Sequence, residues 1–355
     1  MIHHWPASWV QTDFSRYLII ISSLLLAACN NGSVPAPYLQ LSGLTMGTTW
    51  SITINEPDRE LQALTIKHSV DKLLDTLNAS MSTYLPDSEL SRINQSPGTD
   101  WIALSADLYQ VIDLAWQVSL QSNGAFDITA GKLVNLWGFG PDGKTRHIPD
   151  SETINTALSV TGYQNIQLDP LTRSLRKLKP EIYLDLSGIG QGYAVDKLAE
   201  LLEETYAIRN YLIDISGDIR TKGVNAEGKS WRIGIEKPLA GQQAIERVVT
   251  LSDAALSTSG DYRNYFEIDN IRYSHIIDPV SGRPITHDLV SVSVIHERCV
   301  IADAWDTALL VSGTEQGMQL ANRYGLAVLF IVKTDTGFRE ILSDRMRAII
   351  HGNNP

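Results

Sequence analysis

The chain has 355 residues, of which 43% are hydrophobic and 19% are charged, and its formal net charge is −11. This composition is typical of a soluble globular protein with one large domain or two. The acidic balance and the lack of a Lys- or Arg-rich run argue against a nucleic-acid partner. An anionic ligand would therefore have to be held by backbone N–H groups, a metal ion or a few placed cations.

The N-terminal segment has the pattern of a bacterial lipoprotein signal. An apolar run over residues 17–28 is too short to span a bilayer comfortably. It ends in Leu-Ala-Ala followed by Cys29, which matches the lipobox in which the new N-terminal cysteine carries the lipid. We predict a signal peptide over residues 1–28, lipidation of Cys29 and a tether over residues 29–42. An ordinary secretory signal with an accidental cysteine is the alternative.

The predicted lipid anchor would place the protein at the periplasmic face of a bacterial membrane. Asn30 differs from the aspartate that commonly retains lipoproteins at the inner membrane, so sorting to the outer membrane is also open. The second cysteine, Cys299, is then left without a partner, and the sequence predicts no internal disulfide.

Strand and helix patterns follow one another along the mature chain, and they predict a mixed α+β domain over residues 43–352. Many of the strands look hairpin-joined, which disfavours a doubly wound parallel sheet. Helices are predicted over residues 61–77, 105–122, 129–136 and 193–204, with Ser105 as an N-cap. Strands are predicted over residues 48–54, 182–186, 211–215, 231–235, 247–251, 289–295 and 326–332, with a hairpin turn over residues 335–337.

Two carboxylates and a hydroxyl lie close together near the C-terminal end, in residues 302–307. On a helix, Asp303 and Thr307 project from one face with Asp306 beside them, and Gly313 offers a stop further on. Oxygen ligands in this arrangement suit a hard cation such as Mg²⁺. The alternative is a helix start, with an N-cap and acids near the positive helix end.

A predicted strand runs into a glycine-rich turn and then into a helix over residues 185–196. The turn from Gly188 to Gly192 would aim several backbone N–H groups and a helix N-terminus at one point, which suits a phosphate. The spacing matches neither a P-loop nor a dinucleotide-binding fingerprint. The tolerance of glycine for positive φ explains such a turn equally well.

Three further stretches combine polar and aromatic residues that could contact a ligand. Asp127 follows Phe126 just past a helix end and could bind a polar ring edge, or could cap the next helix. Tyr84 could stack on a planar ligand or pack in the core. His275 lies in a β-type stretch as either a catalyst or a structural residue, and Arg283 is one of the few cations nearby.

Taken together, these stretches resemble the ApbE family of FAD:protein FMN transferases. The resemblance covers nearly all of the mature chain, from about Leu44 to the end, and its pieces occur in the family's order. The pieces are residues 46–48, 81–94, 124–127, 185–196, 216–218, 257–261, 275–279, 282–284 and 302–307. The predicted lipobox agrees, because many members are exported lipoproteins.

The resemblance implies a single α+β domain related to the T-fold, with largely antiparallel sheets and flanking helices. It implies that FAD binds as a substrate and that its FMN half passes, with magnesium, to a threonine hydroxyl of a partner protein, releasing AMP. Partners of the family are subunits of sodium-translocating quinone reductase and related electron-transport complexes, with an acceptor motif around Asp-x-x-Thr-x-Thr. The inner membrane is the more usual location.

Carried over by position, the resemblance assigns magnesium to Asp303, Thr307 and the backbone carbonyl of Gly188. Gln191 departs from the lysine or glutamate of many members, and a glutamine supplies no charge to a diphosphate. Magnesium would then carry more of the charge neutralisation. The resemblance assigns the FAD site to Met46, Tyr84, Ala125, Phe126, Asp127, Asp185, Gln191 and the segment around His275.

Attack of a threonine hydroxyl on a diphosphate requires charge neutralisation, alignment and removal of a proton. We expect the cation at Asp303 to neutralise charge and the Gly188–Gly192 turn to align the phosphates. We expect His275 to remove the proton, as general base. Asp306 or a metal-bound water is the alternative base. With water in place of threonine the same site would be an FAD pyrophosphatase that yields FMN and AMP. A non-catalytic flavin-binding lipoprotein is the third alternative.

Overall fold

The computed structural model describes residues 38–352, apart from residues 57–58, 142–145 and 239–244. The predicted signal peptide, Cys29 and most of the predicted tether lie outside these residues. The described residues belong to one compact unit. None of their helices combines the length and the apolar character that crossing a membrane requires.

The helices and strands are numbered in chain order over the described residues. The α-helices are α1 (Ala63–Met81), α2 (Glu89–Gln95), α3 (Ala106–Gln121), α4 (Gly131–Leu136), α5 (Ser151–Leu158), α6 (Gly190–Glu200), α7 (Cys299–Arg323) and α8 (Asp344–Gly352). The strands are β1 (Leu39–Thr45), β2 (Thr48–Ile54), β3 (Ile102–Ala103), β4 (Ile166–Asp169), β5 (Ser174–Lys177), β6 (Tyr211–Ile215), β7 (Asp218–Lys222), β8 (Trp231–Glu236), β9 (Ile245–Leu251), β10 (Ala255–Gly260), β11 (Tyr265–Ile268), β12 (Ile271–Ser274), β13 (Ile277–Asp278), β14 (Arg283–Pro284), β15 (Leu289–His296), β16 (Ala327–Thr334) and β17 (Gly337–Leu342).

An eight-stranded sheet forms the centre of the fold, in the order β1-β2-β6-β7-β10-β15-β16-β17. Its neighbouring strands pair antiparallel, which confirms the predicted α+β fold with largely antiparallel sheets. The predicted turn over residues 335–337 joins β16 to β17. β1 begins at Leu39, ahead of the expected domain boundary at residue 43, because it pairs with β2 along its whole length.

Different elements cover the two faces of this sheet, because successive side chains of a strand point to opposite faces. On the face that we call inner, Trp50 and Ile52 of β2 belong to the largest core cluster, together with residues of α1, α6 and α7. On the outer face, Ile233 of β8 and Leu329 of β16 belong to a second cluster. The β8–β9 hairpin therefore covers part of the outer face.

Helix α7 is capped by a residue of a neighbouring helix. Asp196 of α6 accepts hydrogen bonds from the backbone N–H groups of Cys299 (2.9 Å) and Val300 (3.1 Å). Its carboxylate also pairs with Arg220 of β7. The alternative of a helix start at Asp303 is therefore wrong, because the cap comes from a distant part of the chain and places Asp303 in the second turn.

Helices α6 and α7 approach closely at Gly192. A Cβ atom at this position would lie 2.6 Å from Cβ of Asp303 and 2.7 Å from the carbonyl oxygen of Cys299, so a side chain would push the helices apart. The N–H group of Gly192 donates to Oδ2 of Asp303 at 2.8 Å. The glycine-rich stretch thus holds Asp303 against the N-terminal turn of α6.

One expectation about local structure is confirmed and one is wrong. Gly313 interrupts α7 as expected, with φ 74° and ψ 177°, after which the chain is helical again. Residues 182–186 form no strand in the part of the chain that the structure describes, although Tyr183 makes an isolated bridge to Ala130. The side-chain amide of Asn94 takes the place of a strand neighbour there, because it pairs with both the N–H group (2.8 Å) and the carbonyl (2.9 Å) of Leu184.

Candidate active site

A cavity of about 380 Å³ lies between the inner face of the sheet, the N-terminal end of α6, helix α7 and the segment that precedes α4. The structure brings most of the predicted site residues to its wall. These are Tyr84, Ala125, Phe126, Asp127, Asp185, Gly188, Gln191, His275, Asp303 and Thr307. Met46 is not among the described residues that line it; it lies at φ 48° in the turn between β1 and β2, so its contact with FAD stays a prediction.

Three buried carboxylates meet in the wall of this cavity. Asp218 begins β7, and Asp303 and Asp306 lie on α7. One oxygen atom from each carboxylate lies within 4.8 Å of those of the other two. The two-residue turn before Asp218 has φ 57° at Ser216 and φ 101° at Gly217, the combination of positive φ values that closes a tight hairpin. This turn sets Asp218 opposite Ile215, on the inner face.

Ser257 of β10 bridges two of these carboxylates. Its Oγ atom is hydrogen-bonded to Oδ1 of Asp218 and lies 2.5 Å from Oδ2 of Asp306. A hydroxyl group has one hydrogen and can donate to one carboxylate, so the second contact needs a proton on the other carboxyl group. The cluster therefore holds a proton where no cation is bound.

The electrostatics of the cluster agree with that conclusion. Burial raises the pKa of Asp303 and of Asp306 well above the ordinary aspartate value, and repulsion from Asp218 raises both further. Burial likewise raises the pKa of Asp218, to about 7. Close carboxylates that resist ionisation are a strong potential ligand set for a cation, because the cation replaces the proton and removes the repulsion. The donors are all oxygen atoms, which suits a hard divalent cation.

The other two predicted metal ligands lie next to this cluster. Thr307 donates from Oγ1 to Oδ1 of Asp306 at 3.2 Å. Gly188 lies beside Thr307, since a Cβ atom on Gly188 would be 3.5 Å from that same Oγ1 atom. Asp303 and Thr307 lie on the same helix and both line the cavity, which agrees with the helical spacing read from the sequence. A shared cation at Asp303, Thr307 and Gly188 stays a prediction.

The glycine-rich turn has fewer free N–H groups than the phosphate interpretation requires. Ile189 and Gly190 donate their N–H groups to the carbonyl oxygen of Leu186, at 3.1 Å and 2.8 Å. Ser187 donates to Oδ1 of Asp185 at 2.9 Å, and the N–H group of Gly192 is taken by α7. Phosphate charge in this cavity must therefore be met mainly by other groups.

His275 has the geometry of a neutral proton acceptor. Its Nδ1 atom lies 2.9 Å from the backbone carbonyl oxygen of Asn264. A carbonyl cannot donate, so the proton is assigned to Nδ1, and Nε2 keeps its lone pair. Burial lowers the pKa of His275, which favours this neutral form. Arg146 fixes the same loop, because its guanidinium donates to Oδ1 of Asn264 (2.8 Å) and to the carbonyl oxygen of Tyr265 (3.0 Å).

Asp127 and Tyr84 have different surroundings, although both line the cavity. Oδ1 of Asp127 accepts from the N–H (2.8 Å) and the hydroxyl (2.6 Å) of Thr129, and its Oδ2 accepts from the N–H of Tyr163 (2.7 Å). These bonds give Asp127 a local turn-forming role. It is not the helix cap that was the alternative to ligand binding, because α4 follows Ala130 and has no side-chain cap hydrogen bond. Tyr84 is exposed, with its hydroxyl 3.5 Å from the carbonyl oxygen of Phe139, so its ring is available to a ligand.

Comparison with known proteins identifies the family. The model of the ApbE family matches residues 46–330. The chain belongs to the ApbE family. Its relatives include the FAD:protein FMN transferase of Vibrio cholerae serotype O1, which is 43% identical over 336 residues, covering 94% of this chain and 99% of that protein.

Solved structures of ApbE proteins have the same fold. The flavin transferase ApbE from Vibrio cholerae superposes with a TM-score of 0.82 at 42% identity, covering 89% of this chain and 100% of that one. The apo form of the Pseudomonas stutzeri flavinyl transferase ApbE superposes with a TM-score of 0.81 at 36% identity, covering 88% and 96% of the two chains.

Sequence reasoning did not assign three residues of this ApbE-family cavity. Asp218 and Ser257 lie within stretches that carry the resemblance, but only the pairing of β7 with β10 brings them together beside α7. Arg263 also lines the cavity; it donates to the carbonyl oxygen of Ser216 (3.3 Å) and pairs with a glutamate of β8 (3.0 Å). Arg283, the cation expected nearby, is instead exposed on β14 and is absent from the described cavity lining.

Proposed function

We propose that this chain is a FAD:protein FMN transferase, which moves FMN from FAD to a threonine hydroxyl of a partner protein and releases AMP. Family membership and the names of its relatives support the reaction class. The observation that carries the proposal is the buried cluster of Asp218, Asp303 and Asp306, in a cavity that also contains His275, whose pKa burial lowers.

The reaction is a substitution at phosphorus. The threonine oxygen forms a bond to the phosphorus atom on the FMN side of the diphosphate, and the bond from that phosphorus to the bridging oxygen breaks. The bridging oxygen leaves with AMP, and the threonine gives up its hydroxyl proton. The cavity can hold the flavin and the diphosphate of FAD differently, since Tyr84 and Phe126 offer aromatic surfaces while α7 offers carboxylates for a cation that would meet the diphosphate.

His275 is our proposed acceptor of the threonine proton. Its Nε2 lone pair is free to accept, and the hydrogen bond from Nδ1 to Asn264 stabilises the imidazolium that forms. A lowered pKa keeps His275 unprotonated at neutral pH, so it is ready to act before the substrate arrives. Asp306 is a weaker candidate, because its carboxylate is already bonded to Ser257 and Thr307.

We further propose magnesium as the cation. Asp218, Asp303, Asp306 and Thr307 offer the oxygen donors, and Gly188 lies next to Thr307. When bound, the cation neutralises diphosphate charge and polarises the phosphorus–oxygen bonds. Arg263 supplies a second positive charge in the same cavity, which offsets the missing charge at Gln191.

We propose that a lipid on Cys29 anchors the enzyme at the periplasmic face of a membrane, where it meets its acceptor. The acceptor would be a subunit of an electron-transport complex with an Asp-x-x-Thr-x-Thr motif. The Leu-Ala-Ala-Cys sequence supports the anchor. A Cys29→Ser chain should leave the membrane fraction on cell fractionation; a variant that stays membrane-bound would overturn the anchor.

One incubation separates the candidate functions. The full chain is mixed with FAD, MgCl₂ and a synthetic peptide that carries the Asp-x-x-Thr-x-Thr motif. Mass spectrometry of the peptide is combined with chromatography of the nucleotides. We expect the peptide to gain one FMN moiety for each AMP released, and a peptide with valine at both threonines to gain none. Free FMN with an unmodified peptide would instead indicate an FAD pyrophosphatase, and bound FAD without AMP a flavin carrier.

The general base has its own test. His275→Asn should lower the rate of FMN transfer by about 10²–10⁴-fold, the range typical of acid–base catalysis. His287→Asn changes an exposed histidine and serves as the matched control. A His275→Asn variant that loses less than about tenfold would remove His275 from this role.

A further inference from the structure

A second cleft lies on the outer face of the sheet, and it meets the cavity at the end of β6 and β7. Its wall is formed by β2, the β6–β7 turn, β8 and β10. Ser216, Thr258 and Arg263 line both the cleft and the cavity, so these residues form the border between the two spaces. The cleft measures about 480 Å³.

The same strands line both the cavity and the cleft, because successive side chains of a strand point to opposite faces of the sheet. In β10, Ser257 points to the inner face and bonds the carboxylate cluster, while Thr258 points to the outer face and pairs with Ser293 at 2.7 Å. Around the β6–β7 turn, Asp218 belongs to the cluster while Asp214 lines the cleft. The rim shared by the two spaces is therefore the end of the sheet at the β6–β7 turn, next to the candidate site of phosphoryl transfer.

The cleft differs from the cavity in chemistry. No aromatic ring is found among the described residues that line it, whereas the cavity wall includes Tyr84, Phe126 and Phe139. Its wall is instead rich in hydroxyl groups, such as those of Thr48, Thr49 and Ser51. Such a wall offers no stacking surface for a flavin or an adenine, but it can hydrogen-bond a polypeptide.

The β8 side of the cleft has an unpaired strand edge. β8 pairs with β9 on one side, and its other edge makes no backbone hydrogen bond within the described ranges. β9 lies toward the far end of the sheet, because Arg247 of β9 bonds Glu340 of β17. Gly234 and Glu236 of β8 line the cleft, so the unpaired edge borders it. An edge of this kind recognises an extended chain by adding it as a further strand.

Side chains beside the cleft add apolar and charged contacts. Leu44 of β1 is 82% exposed and lies opposite Thr49 in the β1–β2 pair, on the outer face. Glu236, Asp214 and Arg263 all belong to the cleft lining, and Arg263 pairs with Glu236 at 3.0 Å. The cleft lining thus offers charges of both signs, and the exposed Leu44 lies opposite Thr49 of that lining.

We propose that this cleft binds the acceptor protein, and that its occupant is the extended segment that carries the acceptor threonine. The segment pairs with the free edge of β8 and passes the rim at Ser216 and Arg263, where its threonine hydroxyl reaches the FAD diphosphate. This inference rests on the proposed FMN transfer, because only a reaction with a polypeptide acceptor needs such a path. It divides the enzyme into an aromatic-walled cavity for FAD and a hydroxyl-lined cleft for protein.

The first test fills the cleft without touching the cavity. Thr49→Trp places a bulky ring in the cleft, while Thr53→Trp places the same ring on the same face of β2, outside the cleft lining. FMN transfer is measured against the concentration of the synthetic Asp-x-x-Thr-x-Thr peptide. We expect Thr49→Trp to raise KM for the peptide at least about tenfold with unchanged FAD affinity, and Thr53→Trp to stay within about twofold.

The second test uses the unaltered enzyme, so that misfolding of a variant cannot explain the result. Two versions of the peptide carry N-methyl groups on alternate amides. One version is methylated at the odd-numbered amides and the other at the even-numbered amides. Strand addition uses every second amide, so one version should lose transfer and the other should retain it. Two results would refute the cleft proposal without refuting the transferase function. One is that the wild-type enzyme modifies both versions of the peptide equally well, and the other is that Thr49→Trp leaves KM for the peptide unchanged. If the wild-type chain modifies no peptide, the proposed function fails and the cleft proposal falls with it.

Discussion

Replacing one carboxylate of the buried cluster should stabilise the metal-free protein while removing its response to magnesium. We choose Asp218→Asn because asparagine has the same shape and can still accept the hydrogen bond from Ser257. The substitution deletes one of three charges whose oxygen atoms lie within 4.8 Å of one another. Two unit charges at this separation repel by about 3 kcal/mol at the effective dielectric constant of about 20 that fits protein sites.

The pKa of Asp218 gives a similar magnitude from a different cause, the burial of its carboxyl group. Burial raises it from 3.8 to about 7, and that difference corresponds to about 4 kcal/mol. Because the folded state binds this proton more tightly than the unfolded state, the metal-free protein loses stability as the pH rises from about 4 to about 7. Asp218→Asn should therefore be more stable than the wild type by about 3–4 kcal/mol at pH 8 and nearly equal to it at pH 4.

Urea denaturation with a chelator, at both pH values, measures this difference. Added MgCl₂ should raise the melting temperature of the wild type at pH 8 by several degrees and that of Asp218→Asn by much less. Asp75→Asn, an exposed position on α1, should stay within about 0.5 kcal/mol of the wild type. If Asp218→Asn is destabilised at pH 8, or gains as much from magnesium as the wild type does, the cluster is not a repulsive cation site.

Three further predictions concern groups that hold the site in place. Asp196→Ala removes the cap of α7 and should lower the free energy of unfolding by about 2–4 kcal/mol in urea denaturation; a loss below about 1 kcal/mol would show that the cap is dispensable. Lys177→Met removes a buried ammonium that donates to carbonyls at 2.8, 3.0 and 3.1 Å and should cost about 2–3 kcal/mol by the same measurement; an equally stable variant would contradict this. Arg146→Ala releases Asn264 and should lower kcat about tenfold without changing FAD affinity. Because the charge of Arg146 helps to lower the pKa of His275, the acidic limb of the pH profile should also move to higher pH, and an unmoved limb would argue against this positioning role.

The elements that sequence could predict are those set by neighbouring residues. The structure confirms three of them: the alternation of β2, Ser105 as the N-cap of α3, and the hairpin turn over residues 335–337 between β16 and β17. The position of Asp303 and Thr307 on one face of a helix could also be predicted from the sequence, because it depends only on helical spacing.

Other features depend on contacts between distant parts of the chain. The start of α7 was missed because its cap, Asp196, lies on another helix. The strand expected over residues 182–186 failed because a single side chain, that of Asn94, satisfies the backbone of Leu184. Asp218 was missed as a cluster member because nothing in its own stretch shows that α7 and β10 converge on it.

A crystal structure of the chain with FAD and Mn²⁺ tests the central claim most directly, because Mn²⁺ accepts the same oxygen ligands as Mg²⁺ and gives an anomalous signal. We predict one anomalous peak within about 2.5 Å of carboxylate oxygens of the Asp218, Asp303 and Asp306 cluster and of the FAD diphosphate. A structure with FAD in the cavity but with the peak away from Asp218, Asp303 and Asp306 would contradict the assignment of the cluster as the cation site of FMN transfer.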